Sequence, residues 1–450
     1  MAPPATPVVE SGPLGPPQFR FGVISDVQHA RVDDGKSYHG TSRYYRNGLK
    51  LLNQAVQDWQ QNDISFVLQM GDILDGSQPR DASLEVLASV LAELEVLGTA
   101  GIPTYHTLGN HCLYNLQRHL LNQALGISQH APKDQPYPTE GVSHVTGLLP
   151  EQQPTHHLVT ALSQQLDSLS PTVSVSTSVE LLQYAIADCS LEDCSVSTAP
   201  TLLTSSSGDD STPGSSAPVR SPAQSVTPSP ELPAFDAVSY YSFAHTPGGC
   251  IGSWRVIMLD GYDVSMLGWP AEHPHTRAAA ALLQLRNPHN PNKNSAEGLT
   301  GLDRRFVAFT GGIGNRQLAW LEQELAAATA CSQRVIVCSH LPFLPSTCPP
   351  ACLQWDYRQV LDLLQACPAV KLTLAGHSHQ NGYAVDDSGI HHVVLHGVVE
   401  TAPGNTCHGR VDVYDDLMLL HGEGMVESRV MFLRPDGKAT VAAAAGVAVL

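Results

Sequence analysis

The sequence contains few charged and few aromatic residues. Of its 450 residues, 15% are charged and 6% are aromatic, while 36 are Gly and 33 are Pro. This composition predicts that part of the chain is irregular rather than packed in a core. The length is nevertheless sufficient for at least one large hydrophobic core.

Basic residues are the scarcer of the two charged classes. The chain has 24 Lys and Arg against 42 Asp and Glu, which gives a formal net charge of -18. A protein that binds a nucleic-acid duplex needs a basic face to displace counterions, so we expect no nucleic-acid partner. A small anionic substrate is compatible with this charge if bound metal ions supply positive charge.

The sequence also lacks long apolar runs and a pattern of paired cysteines. The apolar stretch 439–450 is too short to cross a bilayer, so we expect no membrane association. The 10 cysteines in a chain of this length predict free thiols rather than a disulfide scaffold. Residues 1–18 are rich in Pro and contain no Lys or Arg, unlike a secretory signal. We therefore expect a cytoplasmic protein.

What the sequence does contain is a series of short apolar runs that end in polar residues. In the N-terminal part, three predicted strands end at Asp26-Val27-Gln28, Gly71-Asp72 and Gly109-Asn110-His111. Between them, residues 45–60 and 84–97 carry apolar side chains at helical spacing. This alternation predicts an open α/β sheet, in which ligands bind at the carboxyl ends of the strands.

The C-terminal part repeats this pattern. A predicted strand at 334–338 ends at Ser339-His340, and another at 370–374 leads into Gly376-His377-Ser378-His379. If 370–374 is a strand, His377 and His379 project to the same side, whereas on a helix their rings would point apart. Beyond residue 392, short apolar runs separated by Gly and Asp turns predict antiparallel strands.

Two α/β halves with a β-rich end predict one α/β domain. We expect a four-layer αββα sandwich, in which two mixed sheets pack face to face and helices flank both. Residues 19–118 and 239–438 are assigned to this domain. Residues 119–238 are interpreted as an insertion that is largely disordered, because 195–233 is dominated by Ser, Thr and Pro. Residues 1–18 are interpreted as a disordered Pro-rich leader, and residues 439–450 as a C-terminal tail.

Each polar residue at a strand end has an ordinary explanation when it is taken alone. An Asp or Asn after a strand is often a turn former or a helix N-cap, and a lone His is often a hydrogen-bonded turn residue. Chance placement of all of them at successive strand ends is much less probable. The set as a whole therefore predicts a metal site.

The ordered series resembles the calcineurin-like metallophosphoesterase superfamily, whose pattern is Asp-x-His, Gly-Asp, Gly-Asn-His, a lone His and Gly-His-x-His. The chain differs at the first motif, where Gln28 stands in place of histidine. With four further segments, this difference is similar to the manganese-dependent ADP-ribose/CDP-alcohol diphosphatase family. The segments are Arg43-Tyr44-Tyr45-Arg46, Tyr262-Asp263-Val264-Ser265, Cys352-Leu353-Gln354-Trp355 and Gly397-Val398-Val399-Glu400-Thr401-Ala402-Pro403.

The resemblance implies a metallophosphoesterase fold with two divalent metal ions, Mn²⁺ before Mg²⁺. The implied ligands are Asp26, Gln28 and His379 for one ion, Asn110, His340 and His377 for the other, and Asp72 as a bridge between the two. An amide oxygen is a harder ligand than an imidazole nitrogen. Gln28 therefore favours Mn²⁺ or Mg²⁺ over Zn²⁺.

The implied reaction is hydrolysis of the diphosphate bond of ADP-ribose and of CDP-alcohols. Water activated between the two ions would attack one phosphorus and give a nucleoside monophosphate and a second phosphorylated product. The implied catalytic set is Asp72, Asn110 and His111. In this set, His111 donates to a phosphoryl oxygen or to the leaving group.

Family positions also imply contacts to the substrate, made by Tyr38, Arg43, Arg46, Leu267 and Cys352. Arg43 and Arg46 would contact the diphosphate. The alternative, which the sequence supports equally, is that both are exposed residues at the start of a helix. Tyr38 would stack near the base, which is worth roughly 1–3 kcal/mol. Leu267 and Cys352 would line the same pocket, and ordinary packing is the alternative for both.

Two other functions are compatible with these motifs. A cyclic-nucleotide or general phosphodiesterase would use the same metal core. A non-catalytic scaffold of this fold would bind protein partners instead, for example through the insertion. Such a scaffold tends to lose metal ligands or the catalytic histidine, and none of these residues is missing here.

Overall fold

The computed structural model describes residues 15–38, 40–132, 238–247 and 253–433. The strands in these ranges are β1 Phe19–Ile24, β2 Gly35–Lys36, β3 Ser42–Arg43, β4 Phe66–Gln69, β5 Thr104–His106, β6 Tyr241–His245, β7 Trp254–Met258, β8 Val264–Ser265, β9 Gly311–Gly312, β10 Arg334–Cys338, β11 Val370–Ala375, β12 Gly382–Val385, β13 His391–Val394, β14 Cys407–Val413, β15 Leu417–Gly424 and β16 Arg429–Phe432. The helices are α1 Asn47–Gln61, α2 Ser83–Thr99, α3 Asn110–Asn115, α4 Arg118–Ala124, α5 Pro274–Arg286, α6 Gly314–Ala330 and α7 Tyr357–Ala366.

The first large sheet has the strand order β16-β15-β14-β1-β4-β5. Its strands β1, β4 and β5 run parallel to one another, as expected for strands joined through helices. Strands β14, β15 and β16 extend the sheet in antiparallel fashion on the other side of β1. The antiparallel strands predicted near the end of the chain are therefore present, and they complete the sheet that the N-terminal strands begin.

The second large sheet has the strand order β12-β13-β11-β10-β7-β6. Strands β7, β10, β11 and β13 are parallel, and β6 and β12 pair antiparallel at the two edges. The apolar run after residue 392, predicted as one of the antiparallel strands of the tail, is antiparallel to β12 but belongs to the second sheet and not to the sheet of β14, β15 and β16. That run lies in β13, which pairs in parallel with β11 and places His392 opposite Thr373.

The two sheets pack face to face and are covered by helices on their outer sides. Phe21 and Val411 of the first sheet share one core with Val256 and Ile336 of the second. That core extends to the buried sides of α1 and α2, whereas a second core joins the other sheet to α6 and α7. Leu52, Val56 and Trp59 line the buried side of α1, as their helical spacing predicts. The predicted four-layer αββα architecture is confirmed.

The predicted boundary of the domain at residue 118 is too early. Helix α4 and the 3₁₀ turn Ile127–Gln129 follow it, and Leu121 and Ile127 are fully buried in the first core. The ring of His130 stacks on that of Tyr241 with centroids 5.4 Å apart, which brings the two sides of the predicted insertion together.

Several predicted segments lie outside the described residues. These are 1–14 of the Pro-rich leader, 133–237 of the insertion with its Ser/Thr/Pro-rich part 195–233, and the tail 439–450. Among the helices that the structure does describe, none combines the length and the apolar character needed to cross a membrane.

Candidate metal centre

The side chains predicted as metal ligands converge where the carboxyl ends of strands from both sheets meet. Four strand ends and one helix start supply them: Asp26 and Gln28 after β1, Asp72 after β4, Asn110 at the start of α3, His340 after β10, and His377 and His379 after β11. Ligands in open α/β sheets bind at this edge.

One group of ligand candidates consists of Asp26, Gln28 and His379. His379 Nε2 lies 2.9 Å from Gln28 Nε2 and 3.1 Å from Asp26 Oδ1. Gln28 Nε2 and Asp26 Oδ1 are 3.5 Å apart. All three residues are buried, so their polar ends face one another rather than solvent.

A second group consists of Asn110, His340 and His377. His377 Nδ1 lies 3.1 Å from Asn110 Oδ1 and 3.3 Å from His340 Nε2. Asp72 stands beside both groups, because its Oδ2 lies 3.3 Å from His340 Nε2 and 3.3 Å from Gln28 Nε2. Together, Asp72, His340 and His377 offer ligand atoms within 4.8 Å of one another.

The backbone turns sharply at most of these positions. Five of the candidates have φ in the left-handed region: Asp26 at 53°, Gln28 at 40°, Asp72 at 51°, His377 at 68° and His379 at 55°. Non-glycine residues in such a conformation cost about 1–3 kcal/mol each and cluster at functional sites. Gly109 is needed for a different reason, since a Cβ there would overlap the Asp72 carboxylate.

In two of the histidines, a partner of the ring nitrogen that faces away from the cluster holds the ring in place. His340 Nδ1 donates to the Met70 carbonyl at 2.7 Å. His379 Nδ1 lies 2.9 Å from Glu400 Oε1. In both residues Nε2 is left to face the cluster, which is the arrangement usual for metal-binding histidines.

The pKa values of the two histidines of the Gly-His-x-His motif are shifted in opposite directions. Burial and the neighbouring His340 lower the pKa of His377 to about 3. Burial also acts to lower the pKa of His379, but the carboxylates of Asp26 and Glu400 outweigh it and raise that pKa to about 9. The difference follows from the surroundings, since only His379 has carboxylates at both ring nitrogens.

The residues present fit a pair of divalent cations. Gln28 Oε1 is buried and has no hydrogen-bond partner among the described residues, while its Nε2 faces His379 and Asp72. Rotation of the amide by 180° exchanges the two atoms and turns the oxygen toward the cluster. Carboxylate, amide and imidazole donors together suit Mn²⁺.

His111 adjoins the cluster and has its own carboxylate partner. Its backbone N–H donates to Asp72 Oδ1 at 2.8 Å, and its Nδ1 lies 3.0 Å from Asp75 Oδ2. Burial raises the pKa of Asp75, but the interactions with His111 and Ser77 together outweigh this effect and lower the pKa to about 2. Asp75 is therefore ionised at neutral pH and able to orient the imidazole.

Three residues that support the site were not identified from the sequence. Asp75 belongs to none of the motifs, and the segments that contain Glu400 and Tyr262 assign these two residues no individual role. Tyr262 is fully buried, and its hydroxyl donates to Asn110 Oδ1 at 3.0 Å. The spacing Gly71-Asp72-x-x-Asp75 is the one signal that could have suggested a second carboxylate.

The predicted substrate contacts lie in different surroundings. Arg43 lies beside the cluster, with Nη1 3.6 Å from Asp75 Oδ2 and Nε 3.8 Å from Glu400 Oε1. Arg46 pairs at 3.0 Å with the exposed Asp33. Tyr38 lies in the turn between β2 and β3 and is 97% exposed.

Leu267 lines a cavity of about 460 Å³ beside the metal centre. Leu113, Tyr114 and Trp269 line it as well, and the Tyr114 hydroxyl accepts a hydrogen bond from Asn110 Nδ2 at 3.2 Å. Cys352 ends a 3₁₀ turn at Pro350–Cys352. Burial, with a contribution from Asp26, raises the pKa of its thiol to about 12, so the thiol is neutral.

Known proteins are similar to this chain over most of their length. The calcineurin-like phosphoesterase family matches residues 19–171. A manganese-dependent ADP-ribose/CDP-alcohol diphosphatase of Arabidopsis thaliana is 33% identical over 413 residues, which are 92% of this chain and 96% of that protein. The protein of the same name from Homo sapiens is 30% identical over 421 residues, 92% of each chain.

A solved structure agrees with the sequence comparison. A dimetal phosphatase from Danio rerio superposes with a TM-score of 0.63 and 27% sequence identity, covering 93% of this chain and all of that one (100%). Both comparisons extend over more than nine tenths of this chain. The chain therefore belongs to the manganese-dependent ADP-ribose/CDP-alcohol diphosphatase family of calcineurin-like phosphoesterases.

Proposed function

We propose that this chain hydrolyses the diphosphate bond of ADP-ribose and of CDP-alcohols such as CDP-choline and CDP-glycerol. The products are a nucleoside monophosphate and a second phosphorylated compound. The observation that carries the proposal is the position of Asp72, whose Oδ2 lies 3.3 Å from both Gln28 Nε2 and His340 Nε2. One carboxylate beside two ligand groups is what a dinuclear phosphoesterase centre requires. The names of the relatives supply the substrate class.

The seven ligand candidates divide between two ions. Asp26, Gln28 and His379 would hold one ion, Asn110, His340 and His377 would hold the other, and Asp72 would serve both. The relatives are named as manganese-dependent, and the amide oxygens of Gln28 and Asn110 favour Mn²⁺ or Mg²⁺ over Zn²⁺. When bound, the two ions supply positive charge to the diphosphate and make the attacking water more acidic.

The side chain of His111 acts on the leaving group. Negative charge develops on the leaving phosphate oxygen as the bond to phosphorus breaks, and a proton or hydrogen bond from His111 stabilises that charge. The ionised Asp75 carboxylate, 3.0 Å from Nδ1, helps to hold the ring in position. The backbone N–H of His111 donates to Asp72, which fixes the position of His111 relative to both ligand groups.

We assign the nucleoside end of the substrate to the cavity beside Leu267. The cavity of about 460 Å³ lies one side chain away from the second ligand group, because Tyr114 both lines it and contacts Asn110. Contacts of Tyr38, Arg46 and Cys352 with the substrate stay predictions from the sequence.

A substrate panel tests this function. Turnover of ADP-ribose, CDP-choline and cyclic AMP is measured with Mn²⁺, Mg²⁺ and Zn²⁺, and the products are identified by phosphorus NMR in ¹⁸O-labelled water. We expect the two diphosphates to be cleaved with Mn²⁺ at least about tenfold faster than cyclic AMP. Cleavage of cyclic AMP with negligible cleavage of the diphosphates would establish a phosphodiesterase instead. A protein with its full metal content and no turnover would be a scaffold.

We further place the protein in the cytoplasm. The support for this is that the seven cysteines in the described ranges are all free thiols, as is usual in a reducing compartment. Targeting of a fluorescently tagged chain together with non-reducing mass spectrometry of its cysteines tests the assignment.

A further inference from the structure

Arg43 occupies a position between two carboxylates that each hold a functional imidazole. Asp75 Oδ2 lies 3.0 Å from His111 Nδ1, and Glu400 Oε1 lies 2.9 Å from His379 Nδ1. The Arg43 guanidinium reaches the first carboxylate at 3.6 Å and the second at 3.8 Å. One cationic group therefore lies behind both the proposed proton donor and a proposed metal ligand.

The surroundings of Arg43 are mostly closed to solvent. The side chains of Arg43, Asp75 and Glu400 are 16%, 1% and 14% exposed. Charges in such a place interact strongly, and removal of one partner leaves the others buried without compensation. Loss of the guanidinium would thus disturb both carboxylates at the same time.

The backbone around Arg43 is fixed on both sides. Arg43 pairs with Gly35 across the β2–β3 hairpin, and the N–H of the next residue, Tyr44, donates to the Val399 carbonyl at 2.7 Å. Val399 immediately precedes Glu400 in the 3₁₀ turn Val398–Glu400. The backbone of Arg43 is therefore held by secondary structure close to Glu400, independently of any substrate.

We infer that Arg43 is a positioning residue that couples His111 to His379 through Asp75 and Glu400, and that it is not a contact to the diphosphate. This inference rests on the proposed function, because it takes His111 as the proton donor and His379 as a metal ligand. It assigns Arg43 a role different from the one that the family resemblance implies. A planar, forked guanidinium can contact two carboxylates at once, whereas an ammonium group is a single point charge.

The test compares Arg43→Gln and Arg43→Lys with a matched control, Arg31→Gln. Arg31 belongs to the same N-terminal region and pairs with Glu85 at an exposed site, 49% and 71% exposed. For Arg43→Gln we expect kcat to fall about 10- to 100-fold with KM changed by less than about twofold. Arg43→Lys keeps the charge and should not restore kcat, and Arg31→Gln should behave as wild type.

Metal binding gives a readout that does not depend on turnover. Mn²⁺ titrations followed by electron paramagnetic resonance should show one of the two ions bound about tenfold more weakly in Arg43→Gln. Glu400→Gln should weaken the same ion. The variant that carries both changes should bind this Mn²⁺ ion at most about threefold more weakly than the weaker-binding single variant. The effects should not add in full, since both changes break the same network.

Opposite results would overturn the inference. A KM raised at least about tenfold with unchanged kcat and unchanged Mn²⁺ binding, restored by Arg43→Lys, would make Arg43 a contact to the diphosphate. Unchanged kcat, KM and Mn²⁺ binding in both Arg43 variants would show that Arg43 has no role in the site. If wild type cleaves neither ADP-ribose nor CDP-choline, the proposed function fails, while the Mn²⁺ titrations still decide whether Arg43 acts on His379. Circular dichroism melts of all variants separate these effects from unfolding.

Discussion

The two sheets contribute different chemistry to the same site. The first sheet supplies carboxylates and amides, Asp26, Gln28, Asp72 and Asn110, and the second supplies only imidazoles, His340, His377 and His379. Each ligand group nevertheless draws on both sheets, since His379 completes the first group and Asn110 the second. Each group is complete only with a side chain from the other sheet, so the candidate metal centre depends on how the two sheets pack against each other.

The largest expected effect comes from the one residue next to both groups. Asp72→Ala should lower kcat by at least about 1,000-fold, because a bridging ligand and a buried negative charge are lost together. Metal analysis of the purified variant should show that both ions are lost. Asp33→Ala removes an exposed carboxylate, 95% exposed, and is the matched control that should keep both. An Asp72→Ala protein with its full metal content would contradict the bridging assignment.

Gln28→His would make the two sheets more alike by giving the first sheet an imidazole. Because nitrogen ligands favour Zn²⁺ more than oxygen ligands do, the ratio of activity with Zn²⁺ to activity with Mn²⁺ should rise about tenfold. Histidine is among the residues that tolerate the left-handed backbone found here, φ 40°. Gln28→Glu keeps an oxygen donor and should keep the preference for Mn²⁺. An unchanged ratio in Gln28→His would show that Gln28 is not a ligand.

A smaller difference between the two sheets concerns stability at low pH. Away from the metal centre, each sheet buries a further histidine. His392 in the second sheet lies 3.2 Å from the carboxylate of Asp386, whereas His106 in the first contacts the neutral amide of Gln69, with Nδ1 and Oε1 3.2 Å apart. Burial lowers the pKa of His106 to about 4. Between pH 6.5 and 4 the unfolded chain therefore binds a proton at His106 that the folded chain does not bind, so stability falls as pH falls.

This cost can be measured by urea unfolding at pH 7.5 and pH 5. The contribution of His106 to the difference in free energy of unfolding should be about 2 kcal/mol, since one pKa unit corresponds to about 1.4 kcal/mol. His106→Gln should lose less stability than wild type on acidification. His289→Gln, which replaces an exposed histidine, should follow wild type. Identical pH slopes in wild type and His106→Gln would refute the assignment.

The sequence predicted the strands and helices that frame the site. The predicted strand at 334–338 coincides with β10, and the run at 370–374 lies in β11. Each is a continuous apolar run bounded by polar residues, which a buried parallel strand requires. The positions of Asp26, Asp72 and His340 at strand ends followed directly from those runs.

Other features depend on contacts that a sequence pattern does not contain. Helix α5 is rich in Ala and has little amphipathic pattern, and it was not predicted. Strand β13 is as apolar as the strands β14 to β16 that follow it. Its membership of the second sheet follows from its pairing with β11, which the sequence pattern does not contain. Asp75 and Glu400 act through rings that lie 36 and 21 residues away along the chain (111 − 75 and 400 − 379). Their roles require the three-dimensional distances.

The strand order of the first sheet determines when the site can form during synthesis. Strand β1 lies between β4 and β14, with Phe19 opposite Val413, so one edge of β1 has no partner until the last strands are made. Domains fold as units, and an open strand edge in an unfinished domain invites aggregation. The first sheet can therefore be completed only after residue 413 has been made, so the candidate metal centre, which draws on both sheets, forms after most of the chain has been synthesised.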